Sequence, residues 1–168
     1  MLAGPGQPDF SWLICRSRSL GQICPGCWPR CETTSGTEVA FYLDTSVLVK
    51  LVVAESETAA LRAWLAEADR DLVASDLVRT ELMRAARRVV PDRALLARDV
   101  LDAVTLIEVT TAVFTEAGRL GPPALRSLDA IHLAAALDLG DDLEGLVTYD
   151  ERMADAAMAN GVAVITPQ

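Results

Sequence analysis

The chain has 168 residues, enough for one domain with a sizeable core but too short for two ordinary ones. Hydrophobic residues make up 51%, charged residues 23%, and the formal net charge is -9, a globular composition that excludes a disordered or collagen-like chain. This acidity also argues against a protein that coats nucleic acid non-specifically, since such binding depends on Lys and Arg side chains that neutralise the phosphates.

Residues 1–38 differ in composition from the rest of the chain. They hold five of the ten glycines and all four cysteines, Cys15, Cys24, Cys27 and Cys31. We expect residues 1–38 to be a disordered extension. Its expected cause is a translation start assigned too far upstream of the folded domain. The Cys24-x-x-Cys27 spacing is compatible with a zinc site. Cys27 is shared between two short spacings, however, which weakens this alternative.

The sequence gives no sign of a targeting or membrane segment. The longest apolar stretch near its start, residues 12–15, is shorter than the ~7 to 15 residues of a signal-peptide core. No stretch approaches the ~20 apolar residues of a membrane-spanning helix. We therefore expect a cytoplasmic protein without membrane attachment.

From residue 39 onward, apolar runs of strand length alternate with segments of helical period. Strands are predicted at residues 39–43, 72–75, 106–109, 145–148 and 162–165. Helices are predicted at residues 47–53, 57–68, 76–90, 92–103, 111–120, 127–139 and 151–160. Asp76 and Ser127 are expected to cap two helices, and Gly140 to end one. This alternation predicts an α/β fold with a mostly parallel five-stranded sheet covered by helices.

Four carboxylates stand where the carboxyl edge of such a sheet is expected. Asp44 and Asp150 directly follow the first and fourth strands, and Glu81 and Asp129 lie in the first turns of helices. Because ligands bind at the carboxyl ends of the strands in open α/β sheets, these side chains are expected to converge. Carboxylates without partner lysines repel one another unless a hard cation lies among them, and oxygen ligands suit Mg²⁺ or Mn²⁺. For each residue alone, helix capping or a solvated surface charge remains an alternative.

Four short motifs around these carboxylates resemble a known family. They are Phe41-Tyr42-Leu43-Asp44-Thr45-Ser46, Val78-Arg79-Thr80-Glu81-Leu82, Ser127-Leu128-Asp129-Ala130-Ile131-His132 and Val147-Thr148-Tyr149-Asp150. In this order and spacing they resemble a PIN-domain ribonuclease of the VapC type, the toxin of a bacterial toxin–antitoxin pair. The resemblance covers about residues 40–167.

The resemblance implies a three-layer α/β/α PIN-like fold for residues 39–168 and a metal-dependent endoribonuclease activity. It implies metal-ligand and catalytic roles for Asp44, Glu81, Asp129 and Asp150, and a supporting hydroxyl role for Thr45 or Ser46. The cofactor implied is Mg²⁺, with Mn²⁺ possible. The implied partners are an RNA substrate, a cognate antitoxin that blocks the site and a second copy of the chain.

Within this set we expect Asp44, Asp129 and Glu81 to hold the principal ion. Asp150 is expected to complete its coordination, directly or through water, or to help bind a second ion. Two ions ~4 Å apart would stabilise both the attacking and the leaving oxygen.

Positive charge for the substrate phosphates must come from a few side chains in so acidic a chain. Arg84, Arg87 and Arg88 lie at i, i+3 and i+4 on one predicted helix, and Arg126 is a second candidate. The alternative is a solvated helix face with a Glu81–Arg84 ion pair of little energetic value. His132, three residues after Asp129, fits structural hydrogen bonding better than a general base, since a metal-activated water needs no separate base.

Two other functions remain open. One is a catalytically silent PIN-like module for dimerisation and partner docking, and the other is a different Mg²⁺-dependent phosphohydrolase. A haloacid-dehalogenase-like enzyme would need Asp-x-Asp where this chain has Asp44-Thr45-Ser46, and a receiver domain would need a lysine that residues 165–168 lack. Metal-dependent RNA cleavage distinguishes a nuclease from a silent module.

Overall fold

The computed structural model describes residues 39–68 and 70–168. Within them the elements are β1 (Ala40–Leu43), α1 (Thr45–Val52), α2 (Thr58–Glu67), β2 (Asp71–Ser75), α3 (Val78–Val89), α4 (Ala94–Asp102), β3 (Thr105–Ile107), α5 (Thr111–Ala117), α6 (Ser127–Leu137), β4 (Leu143–Val147), α7 (Glu151–Ala159) and β5 (Val164–Ile165). No helix in these two ranges combines the length and apolarity needed to cross a bilayer. The expectations for residues 1–38, disorder and the zinc alternative, lie outside the described residues.

The five strands form one parallel sheet in the order β3-β2-β1-β4-β5. This confirms the predicted five-stranded α/β architecture, with strand ends displaced by one or two residues. β3 ends at Ile107, which pairs with Ser75, the last residue of β2. The central strand, β1, has β2 on one side and β4 on the other, which is the switch point where α/β sheets form their binding crevice.

Successive residues of β1 face opposite sides of the sheet, as the two-residue period of a strand requires. Leu43 packs into a core shared with helices α1 to α4, whereas Tyr42 packs into a second core shared with α5 to α7. The result is the predicted three-layer arrangement. Since α3 with Glu81 and α6 with Asp129 cover opposite faces, the two acids can meet only at an edge of the sheet.

The predicted helix caps at Asp76 and Ser127 are wrong. The Asp76 N–H donates to Ile107 O at 2.9 Å and continues the sheet, so α3 begins only at Val78. Ser127 is itself the first residue of α6, and no side chain caps that helix. Gly140 follows the end of α6 with φ 59°, a left-handed conformation that glycine adopts without strain.

Candidate active site

Asp44 lies at the carboxyl end of the central strand and caps α1. Its Oδ2 accepts hydrogen bonds from Ser46 Oγ at 2.7 Å, Thr148 Oγ1 at 3.0 Å and the Ser46 N–H at 3.3 Å. Its Oδ1 accepts none from the residues that the structure describes. Asp44 is only 8% exposed, and the three donors on Oδ2 fix the orientation of its carboxylate.

Glu81 reaches the same edge of the sheet from α3. Its Oε2 accepts hydrogen bonds from Thr45 Oγ1 at 2.6 Å and His132 Nε2 at 2.7 Å. Partial burial works to raise the pKa of Glu81, but the bonds from His132 and Thr45 outweigh it and the pKa is lowered. Glu81 is therefore held as a carboxylate. Thr45 and Ser46 thus support different acids, Glu81 and Asp44 respectively.

Asp129 is the third residue of α6 and carries the least compensated charge of the four. Its Oδ2 is buried and has no hydrogen-bond partner. Burial, followed by the negative charges of Asp150 and Asp44, raises the pKa of Asp129, while the charges of Arg152 and Arg126 oppose that rise. The three aspartates therefore interact electrostatically, as expected for side chains that converge.

Asp150 caps α7 and is occupied by local donors. Its Oδ1 accepts from the main-chain N–H groups of Arg152 at 2.9 Å and Met153 at 3.4 Å. The Arg152 guanidinium bonds Oδ2 at 3.0 Å and is the main reason that the pKa of Asp150 is lowered. Both Asp44 and Asp150 therefore have a structural role as caps as well as a place at the site.

These four acids fit a hard divalent cation in their chemistry. Among the described residues, no three His, Cys, Asp or Glu side chains form a ready-made metal cluster as they stand. Glu81 and Asp150 are each held by protein donors, Glu81 through Oε2 and Asp150 through both oxygens. The unpartnered oxygen of Asp129, destabilised by two neighbouring aspartates, marks the place where positive charge is lacking.

A groove of about 780 Å³ opens onto the site. Besides Glu81 and Asp150 it is lined by Arg84, Arg88 and Tyr149, whereas Arg87 is not among its lining residues. Neither groove arginine forms an ion pair with a carboxylate in the described part of the chain, and the alternative Glu81–Arg84 pairing is not observed there. The groove therefore offers free positive charge on one side of an acidic centre.

Lys50 also lines the groove, but its charge is already engaged. Its ammonium pairs with Glu55, lies 2.8 Å from Glu57 and sits 4.6 Å above the centre of the Tyr149 ring. It is therefore less available to a ligand than the arginines are.

Comparison with known proteins identifies the architecture. The PIN domain family model matches residues 41–158. Ribonuclease VapC46 of Mycobacterium tuberculosis is 47% identical over 128 residues, which are 76% of this chain and 98% of the relative. The chain belongs to the VapC ribonucleases of the PIN-domain family. The resemblance inferred from the four motifs is thereby confirmed.

Solved toxin structures share the fold at low sequence identity. The VapC20 toxin of Mycobacterium tuberculosis, which cleaves the sarcin–ricin loop, aligns with a TM-score of 0.63 and 18% identity, covering 76% of this chain and all (100%) of the toxin. A toxin–antitoxin complex from Klebsiella pneumoniae aligns with a TM-score of 0.59 and 23% identity, covering 77% of this chain and 98% of that one. Both confirm the PIN-like three-layer fold.

Sequence reasoning did not single out two side chains that hold acids of the candidate site. Thr148 is 0% exposed and bonds Asp44, and Arg152 pairs with Asp150. The sequence could have indicated Thr148, because it carries a hydroxyl at the end of a buried strand and lies two residues before an acid. Arg152 lies on the exposed side of α7, so the sequence alone predicts an ordinary charged surface residue there.

Proposed function

We propose that residues 39–168 form a nuclease domain that hydrolyses RNA with a divalent cation, Mg²⁺ with Mn²⁺ as a substitute, held by Asp44, Glu81, Asp129 and Asp150. The observation that carries the proposal is Asp129 Oδ2, a buried carboxylate oxygen without a donor beside two other aspartates. Burying such charge is costly unless a cation compensates it. VapC membership supplies the reaction class.

The side chains divide the work according to their surroundings. Thr148 and Ser46 hold Asp44 through Oδ2, and Thr45 and His132 hold Glu81 through Oε2. Each acid is thereby pre-oriented, which lowers the cost of reorganisation during reaction. When bound, a divalent cation polarises the scissile phosphate and activates water for attack. Arg84 and Arg88 line the groove, which supports a role for them in binding flanking phosphates.

The experiment is cleavage of a fluorescent single-stranded RNA by the purified full chain, with a DNA of the same sequence in parallel. We expect RNA cleavage with Mg²⁺ or Mn²⁺ and none with EDTA. Asp44→Asn should lower the rate roughly 100-fold, since a cation contributes several kcal/mol. Asp142→Asn, the same change at an exposed acid, is the matched control. Cleavage that persists in EDTA would refute the metal role, and no cleavage of any RNA would favour a silent module.

We also propose that the chain acts in the cytoplasm as the toxin of a toxin–antitoxin pair and forms a homodimer. The structural relative from Klebsiella pneumoniae is a toxin–antitoxin complex, and the open acidic site of this chain suits a basic side chain from such a partner. Co-expression with the product of an adjacent small reading frame should give a stable complex without ribonuclease activity. Sedimentation analysis of the toxin alone tests the dimer.

The groove arginines provide a matched comparison on one helix. Arg84→Ala and Arg88→Ala should each weaken RNA binding and reduce the slope of log K against log salt by about 1, as for a lost phosphate contact. Arg87→Ala removes the same charge outside the groove lining and should change the slope much less. Fluorescence anisotropy at several salt concentrations measures all three.

An equal effect of all three substitutions would show that only the general charge of α3 matters. Arg87 would then contribute to substrate binding as much as Arg84 and Arg88, as the sequence predicts. No effect of any of them would place the RNA elsewhere.

A further inference from the structure

Behind Glu81 lies a buried polar network whose members do not themselves belong to the proposed cation site. His132 is 1% exposed, and its Nε2 lies 2.7 Å from Glu81 Oε2. Its Nδ1 lies 2.9 Å from the hydroxyl of Tyr42, which is 0% exposed. The Tyr42 oxygen in turn accepts the Ser75 N–H at 3.1 Å. One line of hydrogen bonds therefore joins β2, β1, α6 and α3.

The direction of each bond follows from its chemistry. An ionised carboxylate only accepts hydrogen bonds, so His132 Nε2 must donate to Glu81. In the neutral imidazole Nδ1 is then the acceptor, and the Tyr42 hydroxyl donates to it. A main-chain N–H can only donate, so Ser75 fixes the Tyr42 oxygen as its acceptor. Ser75 Oγ, 3.2 Å from Nδ1, is a second donor available to the ring.

The network acts on one oxygen of Glu81 and leaves the other unengaged. Thr45 Oγ1 and His132 Nε2 both bond Oε2, whereas Oε1 accepts no hydrogen bond from the described residues. Two donors from different elements prevent rotation about the last side-chain bond of Glu81. A single donor, such as Thr45 alone, would leave that rotation open.

We propose that His132 is a positioning residue for Glu81: fixed by Tyr42 and Ser75, it holds Oε2 against the protein and leaves Oε1 as the oxygen that Glu81 presents to the cation. The inference rests on the proposed metal-dependent function. It also gives α6 a double role, because Asp129 lies one turn before His132 on the same helix. That helix contributes one acid directly and orients a second acid on the opposite face of the sheet.

The test is Mn²⁺ binding to the full chain, measured by isothermal titration calorimetry without RNA. His132→Asn places an amide near the Tyr42 hydroxyl but is too short to reach Glu81. We expect it to weaken Mn²⁺ binding about 10- to 100-fold, the usual effect of removing a group that orients a ligand. His132→Gln extends an N–H donor towards the position of Nε2 and should recover most of the affinity.

A helix variant separates positioning from simple destabilisation. Ala134→Gly changes a buried residue of α6 that makes no side-chain hydrogen bond, and should lower the melting temperature while leaving Mn²⁺ affinity unchanged. In RNA cleavage at fixed Mn²⁺, His132→Asn should lower kcat more than it changes KM, since the groove arginines Arg84 and Arg88, proposed to bind flanking phosphates, are unchanged. Tyr42→Phe should give a smaller loss than His132→Asn, because Ser75 Oγ remains beside Nδ1.

Equal Mn²⁺ affinity in His132→Asn and His132→Gln would overturn the positioning role. So would a loss of affinity in Ala134→Gly that matches its loss of stability. Failure of the wild-type chain to bind Mn²⁺ at all would instead refute the proposed function, so the two failures are distinguishable. If His132→Asn does not fold, the Mn²⁺ titrations of Tyr42→Phe and His132→Gln decide the question. The proposal would then be contradicted if Tyr42→Phe bound Mn²⁺ with wild-type affinity while His132→Gln bound it with reduced affinity.

Discussion

Asp129→Asn is expected to lower metal-dependent RNA cleavage sharply while making the metal-free protein more stable. Burial and the charges of Asp150 and Asp44 raise the pKa of Asp129, so its ionised form is less favourable in the folded chain than in the unfolded one. A neutral amide removes that repulsion and should raise the Tm in EDTA by about 2 °C. It also removes a cation ligand and should lower kcat roughly 100-fold or more.

Metal and pH should each remove the stability advantage of Asp129→Asn. Saturating Mg²⁺ stabilises the wild type by binding only the folded state, so the order of the two melting temperatures should reverse. As pH falls from 7 through the raised pKa, the wild-type carboxyl becomes protonated and the difference should shrink. Differential scanning calorimetry with EDTA and with Mg²⁺ measures both effects. A variant that melts below the wild type in EDTA would contradict the electrostatic account.

Thr148→Val is expected to cause the largest loss of stability among single changes at the site. The Thr148 hydroxyl is 0% exposed, donates to Asp44 Oδ2 at 3.0 Å and accepts the Asp150 N–H at 3.0 Å. Valine has the same shape but leaves both partners without that bond, at a cost of about 2 kcal/mol. The corresponding fall in Tm is roughly 4–8 °C. Cation affinity should fall about 10-fold, because Asp44 loses one of its three donors.

Two substitutions control for the change from threonine. Thr115→Val removes an exposed hydroxyl that bonds Thr111 O at 2.9 Å on α5, and should alter stability by no more than ~0.5 kcal/mol. Thr148→Ser keeps the hydroxyl and should retain most of the cation affinity. Urea unfolding and Mn²⁺ calorimetry of the three variants give the comparison. Equal stability of Thr148→Val and the wild type would mean that this hydroxyl does not organise the site.

The position of the acids along the chain was readable from local sequence. Asp44 and Asp150 follow short apolar runs, and parallel strands between helices bring their carboxyl ends to one edge. The structure places both residues at that edge, and the electrostatic coupling of Asp129 to both of them shows that it lies nearby. Helix caps were less predictable. Asp76 has the side chain of a cap, but its backbone is engaged by β3, a contact that no local pattern reveals.

Arg84, Arg87 and Arg88 show why a helical period is insufficient by itself. The period places them near one face, but the rotation of α3 is set by its buried residues, Val78, Leu82 and Ala86. Packing in that orientation leaves Arg84 and Arg88 along the groove and Arg87 outside its lining. Only the core decides which side of the helix faces the site.

By itself, the sequence determined the alternation of strands and helices and the family, and it predicted four acids for the site, because apolar periodicity and residues near strand ends or helix starts are local features. Only the tertiary structure decided how each acid is held. Glu81 and His132 are 51 residues apart, and Tyr42 and His132 are 90 apart, so their bonds exist only once three layers have packed. The same packing leaves Asp129 Oδ2 without a donor, and this missing partner, rather than the net charge of -9, is what points to a cation.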